Sequence, residues 1–230
     1  ILFLQKKNGA FVPWYIEPDH KYNADYLLTF YSGEALLSII EYYEKTGDKK
    51  YLDASILSAD FYIDRYVRSI DKNYYPAYVP WHTIALNKLY KITKNKEYVY
   101  SIFILNDKLL EIQDIFLYVG RFYNPKIPQY GAPHSSSDAV YTEGLAYAYE
   151  IAIDVNDDEH KEKYYKALEI AVSNLIDLQY KDVLRCANKL NSVKYLGAIA
   201  INKSNPWIRV DATQHTIDAF TKIETLIKSG

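Results

Sequence analysis

Residues 33–51 read GEALLSIIEYYEKTGDKKY, and residues 80–98 read PWHTIALNKLYKITKNKEY. The two stretches share one pattern at an offset of 47 residues, because Thr46 of the first corresponds to Thr93 of the second. In each stretch, apolar residues recur at helical spacing, a short polar turn follows, and the apolar stripe then resumes. The pattern predicts a helical hairpin that is repeated along the chain.

The same pattern returns twice further along the chain. A third copy runs from Thr142 through a polar turn at 155–158 into a second apolar stripe, and a fourth begins at Asp211 and ends after one helix. The tripeptide His-Thr-Ile occurs at 82–84 and again at 215–217. These repeats predict an all-α chain of helical hairpins.

The composition restricts the classes of partner. The net charge of −2 offers no basic surface for nucleic acid and no polybasic patch for a membrane. No run of about 18 apolar residues is uninterrupted by a charge, so no membrane span is expected. The single Cys186 cannot form an internal disulfide and no signal segment is visible, which favours a cytoplasmic location. We therefore expect a small molecule or an oligosaccharide as the partner, and the sequence does not indicate the oligomeric state.

The chain contains no methionine, so its first residue is not expected to be the start of translation. With 49% hydrophobic residues, 230 residues are enough to bury a sizeable core. We predict one domain over residues 1–230, which is either whole or lacks N-terminal hairpins.

Three pieces of the sequence resemble the α/α-toroid proteins of the six-hairpin glycosidase superfamily. They are Gly-Glu-Ala-Leu-Leu at 33–37, Thr-Gly-Asp-Lys-Lys-Tyr-Leu at 46–52, and the late Arg209-x-Asp211-x-x-Gln214-His215. That superfamily includes glycoside hydrolases, N-acylglucosamine and cellobiose epimerases, and the C-terminal domain of glucuronyl C5-epimerases. The resemblance implies an α/α toroid, complete or partial, whose inner helices enclose a cavity and whose loops at one end carry carbohydrate chemistry. The chain departs from this pattern because three and a half hairpins do not close a ring of six.

The densest group of chemical side chains follows a stretch rich in Pro, Gly and Ser at 120–137. The group comprises the catalytic candidates His134, Asp138 and Glu143, and the substrate-binding candidate Tyr141. A glycosidase needs one carboxylic acid and one further carboxylate, and Asp138 or Glu143 is the predicted acid. The structural alternative is that Asp138 caps the helix and Glu143 balances its dipole.

A second group lies at the start of the fourth copy. Asp211 and His215 are four residues apart and share a helical face, so the carboxylate is expected to orient the imidazole for proton transfer. Arg209 and Gln214 are predicted to hold the substrate, and an Arg grip would suit an acidic sugar such as a uronate. The alternative is an Arg209-Asp211 pair that fixes the last helix in place.

Trp81 and His82 begin the second hairpin, where an indole platform beside an imidazole would suit a sugar. The alternative for His82 is a core residue satisfied by hydrogen bonds. Arg121 and Trp207, in the loops that precede later helices, complete the predicted substrate-binding set, and Asp19-His20 is a further candidate for the same rim.

Four groups are predicted to lie in the first turns of the first helices, at one end of the molecule: Glu34, Trp81-His82, residues 138–143 and residues 211–215. His82, His134 and His215 form no short ligand pair at helical spacing, so neither a metal nor another cofactor is expected. The prediction is a glycoside hydrolase or a sugar epimerase, with a non-catalytic helical-repeat scaffold as the alternative.

Overall fold

The computed structural model describes residues 1–16, 23–181 and 195–229, apart from the side chains of residues 73 and 229. Cys186 and the Asp19-His20 pair lie outside these ranges. Within them the chain is helical and contains isolated β-bridges but no strand, which confirms the all-α prediction. The chain divides into two compact units, Ile1–Lys108 and Leu109–Gly230. The single domain and the cytoplasmic location stay predictions.

Eight α-helices occur in the described residues. They are α1 (Ala24–Thr46), α2 (Lys49–Tyr62), α3 (Ile70–Asn73), α4 (Val79–Thr93), α5 (Lys96–Leu110), α6 (Ser135–Asp154), α7 (Asp158–Leu178) and α8 (Val210–Ser229). The hairpins predicted from the repeats correspond to α1–α2, α4–α5 and α6–α7, and the fourth copy to α8. In the described part of the chain, every helix falls short of the length or the apolar character that crossing a membrane requires.

The turn between α1 and α2 is specified by its own residues. Gly47 has a φ of 68°, a left-handed conformation that ends α1 without the strain a side chain would add. The Asp48 carboxylate accepts a hydrogen bond from the Lys50 N–H at 3.1 Å and so caps α2, a contact that stabilises a helix by about 1 kcal/mol. The hairpin then buries Leu36 and Ile40 completely, and each such side chain contributes about 1.5–3 kcal/mol.

The first helices of successive hairpins, α1 and α4, lie side by side and run in the same direction. Near one end, Ser32 Oγ lies 3.3 Å from His82 Nε2. Further along both helices, Lys88 Nζ lies 3.7 Å from Glu41 Oε1 and 2.7 Å from Glu44 Oε2. Contacts that advance together along both helices require parallel axes.

Gly33 allows α1 and α4 to approach closely. A Cβ at this position would lie 2.5 Å from the Cβ of Trp81 and 2.9 Å from the backbone nitrogen of His82, so only glycine fits. The prediction that Glu34 lies in a first turn is wrong, because Asn23 caps α1 and Glu34 is in mid-helix. The glycine marks a helix contact and not a helix start.

The second unit repeats this arrangement with α6 and α8, while α7 packs against the other side of α6. Three polar contacts join α6 to α8. They are Ser136 with Asp211 at 2.8 Å, Glu143 with His215 at 2.8 Å, and Glu150 with Lys222 at 2.7 Å. The α6 partners are seven residues apart, and the α8 partners advance in the same direction. The two helices are therefore also parallel.

In the first unit, an N-terminal loop is fixed to α2 by hydrogen bonds and by close packing. Gln5 Nε2 donates a hydrogen bond to the Ala54 carbonyl at 2.7 Å. Gly9, with a φ of 91°, packs so tightly that a Cβ would lie 2.2 Å from the Leu57 carbonyl oxygen. The loop therefore depends on glycine both for its conformation and for its contact with the helix.

The second unit holds a loop against α7 in the same way. Gln113 Nε2 donates to the Ala167 carbonyl at 3.0 Å, and a Cβ on Gly120, whose φ is 86°, would lie 2.1 Å from the Ile170 carbonyl oxygen. The spacing between Gln and Gly differs between the two loops, which is why comparison of the sequences alone did not detect this repeat. The contact positions the segment that follows Asp114.

Candidate active site

The middle contact between α6 and α8 joins a carboxylate to an imidazole. His215 Nδ1 lies 2.8 Å from Glu143 Oε2, and the two side chains keep 12% and 10% of their surface exposed. Asp218, less than one turn further along α8 and exposed, completes the group. One carboxylate oxygen or imidazole nitrogen from each of these three residues lies within 4.8 Å of the other two. The group is thus partly shielded from water yet open to a ligand.

The contact with Glu143 orients the His215 ring. The Glu143 carboxylate accepts a hydrogen bond from the Nδ1–H of His215, so Nε2 is the acceptor nitrogen of the neutral imidazole. The same carboxylate stabilises the imidazolium that forms when Nε2 takes up a proton. The pair can therefore accept and return a proton, which is what general acid–base catalysis requires.

Glu143 and Asp218 also present two carboxylates with oxygens no more than 4.8 Å apart. This closeness brings both carboxylates within reach of one ligand. Sequence reasoning missed Asp218, although its spacing of three residues from His215 places it on the same face of α8.

The same three side chains could hold a metal ion, since carboxylate oxygens and imidazole nitrogen suit zinc. In the structure, Glu143 and His215 are hydrogen-bonded to each other, so the same geometry also fits a proton-transfer group. The expectation that no metal or other cofactor is required stays a prediction.

Asp211 has partners other than the His215 that the sequence predicted for it. The Asp211 carboxylate accepts hydrogen bonds from Arg209 Nε at 3.0 Å and from Ser136 Oγ at 2.8 Å. Partial burial acts to raise the pKa of Asp211, but the hydrogen bonds from Arg209 and Ser136 prevail and lower it to about 2. Glu143 takes the orienting position instead. The Arg209–Asp211 pair of the alternative interpretation is present at the start of α8, and its role in fixing that helix in place stays a prediction.

Asp138 and Arg121 form a buried ion pair. Asp138 accepts hydrogen bonds from Arg121 Nε at 2.8 Å, the Phe122 N–H at 3.0 Å and Asn174 Nδ2 at 3.4 Å. Burial raises the pKa of the Asp138 carboxyl, and the Arg121 guanidinium acts against that rise. Asp138, the predicted acid, and Arg121, the predicted substrate ligand, thus contact each other. The contacts of Asp138 with Arg121 and Asn174 connect the loop before α6 to α6 and α7.

His134 caps α6, a position that the sequence interpretation gave to Asp138. His134 Nδ1 accepts the Ser137 N–H at 3.1 Å, so the neutral ring carries its proton on Nε2. Ser137 Oγ lies 2.8 Å from that nitrogen and 3.2 Å from Nδ1, so the hydroxyl is in contact with both ring nitrogens. Burial lowers the pKa of His134, while the Asp138 carboxylate opposes this effect.

In the first unit, His82 is a core residue, as the structural alternative predicted. His82 Nδ1 lies 2.8 Å from the Tyr78 carbonyl oxygen, to which it donates a hydrogen bond. Burial lowers the pKa of His82 to about 4, although the Tyr78 carbonyl acts against this shift. Trp81 is half-buried beside Gly33 on α1.

The three remaining candidates, all in the second unit, differ in exposure. Gln214 and Trp207 are exposed, whereas Tyr141 is buried with its ring centroid 5.4 Å from that of Phe122. They are not members of the Glu143–His215–Asp218 group. Their assignment to substrate binding stays a prediction.

No protein-family model and no curated protein sequence matches this chain. Among solved structures, it is similar to an α-1,6-mannanase of glycoside hydrolase family 76 from Salegentibacter sp. HEL1_6. An inactive variant of that enzyme, with asparagine at two adjacent aspartate positions, was solved with α-1,6-mannotriose. It matches with a TM-score of 0.64 and 18% identity, over 99% of this chain and 62% of that chain.

The unsubstituted mannanase gives a TM-score of 0.62 and 17% identity, over 98% of this chain and 61% of that chain. A family 76 mannosidase from Bacteroides thetaiotaomicron VPI-5482 gives a TM-score of 0.55 and 14% identity, over 86% and 55%. At these identities the comparisons show the fold. The chain has the α/α-toroid fold that the resemblance implied, and it spans less than two thirds of the length of these structures.

Proposed function

We propose that this chain is part of a glycoside hydrolase and that Glu143, His215 and Asp218 form its catalytic group. The observation that carries the proposal is the approach of two carboxylates and one imidazole to within 4.8 Å, on two parallel helices. Their partial exposure admits a substrate. The fold shared with enzymes that act on α-1,6-mannan supports the same function.

Each of the three side chains has a different role in the proposed hydrolysis. His215, held by Glu143, acts first as the imidazolium: it donates its Nε2 proton to the leaving oxygen, becomes neutral, and then withdraws a proton from the water that completes hydrolysis. Asp218 stabilises or attacks the positively charged sugar centre that develops as the glycosidic bond breaks. Glu143 keeps the imidazole oriented and compensates its charge.

The catalytic carboxylates proposed here are not adjacent in the sequence, unlike the two aspartates replaced in the inactive mannanase. The adjacent aspartates of this chain are Asp157, the N-cap of α7, and Asp158, its first residue. Asp157 caps α7 by accepting the His160 N–H at 3.0 Å, and Asp158 is paired with Lys161 at the surface. These contacts explain Asp157 and Asp158 as helix-start residues, so we assign catalysis to carboxylates from α6 and α8.

Hydrolysis is proposed in preference to epimerisation because the similar structures are of hydrolases. The scaffold alternative is not favoured, since a binding scaffold has no need to gather a carboxylate–imidazole group on its paired helices. A neutral glycan is the first substrate to test.

The test is turnover of α-1,6-linked mannooligosaccharides and other neutral oligosaccharides by the full-length protein. We expect Glu143→Gln, His215→Ala and Asp218→Asn each to lower kcat by about 10²–10⁴-fold, the usual contribution of a positioned acid or base. His160→Ala is the matched control, because His160 belongs to the cap of α7. Wild-type turnover in all three variants, or no cleavage of any glycan by the wild type, would contradict the proposal.

A further inference from the structure

A cavity of about 840 Å³ lies in the second unit on the surface of α7. Its lining includes the loop around residues 117–123, which forms one wall, together with α7 residues such as Asn174 and residues 202–204. Glu143, His215 and Asp218 do not line this α7 cavity. Its volume is within the range of about 300–1,000 Å³ that small-molecule sites occupy.

Hydrogen bonds hold the wall around residues 117–123 in place, although the side chains of its first residues are exposed and largely apolar. The side chains of residues 115–119 are all exposed, and runs of this kind mark binding surfaces more often than inert ones. The Asp114 carboxylate accepts hydrogen bonds from the N–H groups of Phe116, Leu117 and Tyr118, at 2.7, 3.0 and 3.1 Å. Together with the close contact between Gly120 and α7, these bonds fix the wall before any ligand arrives.

The wall brings two aromatic rings to the cavity. The centroids of Tyr118 and Tyr123 lie 6.5 Å apart and their planes are inclined by 67°. A ring face covers the apolar face of a pyranose, and the phenol hydroxyl remains available for hydrogen bonds. The side chains of Ser173, Asn174 and Asn202 add hydrogen-bonding groups of the kind that fix sugar hydroxyls.

The charges around the cavity indicate which sugars fit. Arg121 is paired with Asp138, and Lys203 Nζ lies 3.4 Å from Asp177 Oδ2, so each cation of the described lining already faces a carboxylate. Glu169 adds a further carboxylate to the lining. A uronate carboxylate would find no uncompensated positive charge in this lining. A neutral sugar does not require such a charge for binding.

We propose that the α7 cavity is a binding subsite for a neutral oligosaccharide, with Tyr118 and Tyr123 as its aromatic contacts. The inference rests on the proposed carbohydrate function and adds a second contact with the glycan, outside the catalytic group. It also narrows the substrate class, because the uronate that Arg209 suggested from sequence is replaced by an uncharged sugar.

The test is calorimetric titration of the full-length protein carrying Glu143→Gln, which prevents turnover. The probes are α-1,6-mannotriose, cellotriose and maltotriose, with trigalacturonate as the charged trisaccharide. We expect at least one neutral probe to bind more tightly than trigalacturonate. Adding Tyr118→Ala or Tyr123→Leu is expected to weaken that binding about three- to tenfold, the effect of losing one aromatic contact.

The matched control is Tyr100→Ala, since Tyr100 is an exposed tyrosine on α5 and lies outside the cavity lining. It should leave binding unchanged. The proposal is overturned if the Tyr118 and Tyr123 variants bind like the parent, if trigalacturonate binds as well as the neutral probes, or if none binds. Loss of turnover in Glu143→Gln would still stand in each case, so failure of the subsite is distinguishable from failure of the proposed hydrolysis.

Discussion

The tripeptide His-Thr-Ile occurs once in each unit, and its two histidines have opposite environments. His82 on α4 is 3% exposed and lies edge-on to the rings of Tyr62, Tyr66 and Tyr78. His215 on α8 contacts a carboxylate and remains partly open to solvent. One histidine belongs to a sealed aromatic core, and the other to a candidate catalytic group.

The difference comes from the parallel helix that each histidine faces. Opposite His82, α1 presents Ser32 and Gly33, which let the two helices close over the ring. Opposite His215, α6 presents Glu143, whose charge needs a polar partner and some access to water. The neighbouring helix therefore decides the chemistry of an identical tripeptide.

The buried ion pair of the second unit is expected to give the largest effect on stability. Asp138→Asn removes the charge that compensates Arg121 inside the protein, and such a loss costs about 3–5 kcal/mol. Urea denaturation measures it. Asp177→Asn, which affects the exposed contact with Lys203, should cost less than about 1 kcal/mol. Equal costs for the two variants would mean that burial does not distinguish these pairs.

The sealed environment of His82 predicts an acid-sensitive first unit. Its pKa is lowered from the ordinary value of 6.5 to about 4 when the chain is folded, so between these values the unfolded chain binds the proton more strongly. Stability is therefore complete above pH 6.5 and falls by about 3 kcal/mol as the pH drops to 4. The free energy of unfolding, measured across this window, should depend less on pH in His82→Gln. An unchanged dependence would show that the ring is not sealed.

Gly33 is predicted to control how closely α1 and α4 pack. Gly33→Ala places a Cβ within 2.5 Å of the Trp81 Cβ, and overpacking of this kind costs about 1–3 kcal/mol. The gain in helix propensity, about 1 kcal/mol, offsets part of that cost. Chemical denaturation should therefore show Gly33→Ala to be less stable than Ser38→Ala on the same helix. A stabilised Gly33→Ala protein would show that the helices can separate without cost.

The smallest effect is expected at the exposed start of α8. Arg209→Gln breaks the pair with Asp211, which is half-exposed and is worth about 0.2–1 kcal/mol. The difference in thermal unfolding between variant and wild type should shrink at high salt, because salt screens this pair. A loss as large as that of Asp138→Asn would place Arg209 among the buried charges.

The hairpins were predictable because their signals are local. Helical spacing of apolar residues, the Gly47 stop and the Asp48 cap lie within a few residues of the structure they specify. The start of α1 was predicted at the wrong place because Gly33 is required by the close contact with α4. Residue spacing within α1 does not indicate that contact. The loops of Gly9 and Gly120 were not predicted, because their glycines contact a helix that is distant in the sequence and their spacing from the preceding glutamine differs.

The candidate site was predictable in its members but not in their pairing. Glu143 and His215 were both expected, yet the sequence coupled His215 to Asp211, its neighbour on the same helix. In the structure, Asp211 instead accepts hydrogen bonds from Arg209 and Ser136, and Glu143 is the partner of His215. Asp218 went unnoticed because a single acidic residue on an exposed helical face carries no signal of its own.

By itself, the sequence determined that this chain forms repeated helical hairpins, because periodicity, turns and caps act over a few residues. Only the tertiary structure decided which side chains face each other across parallel helices. That choice depends on helix contacts between residues 50 to 75 positions apart, where close approach and burial set the partner of each charge.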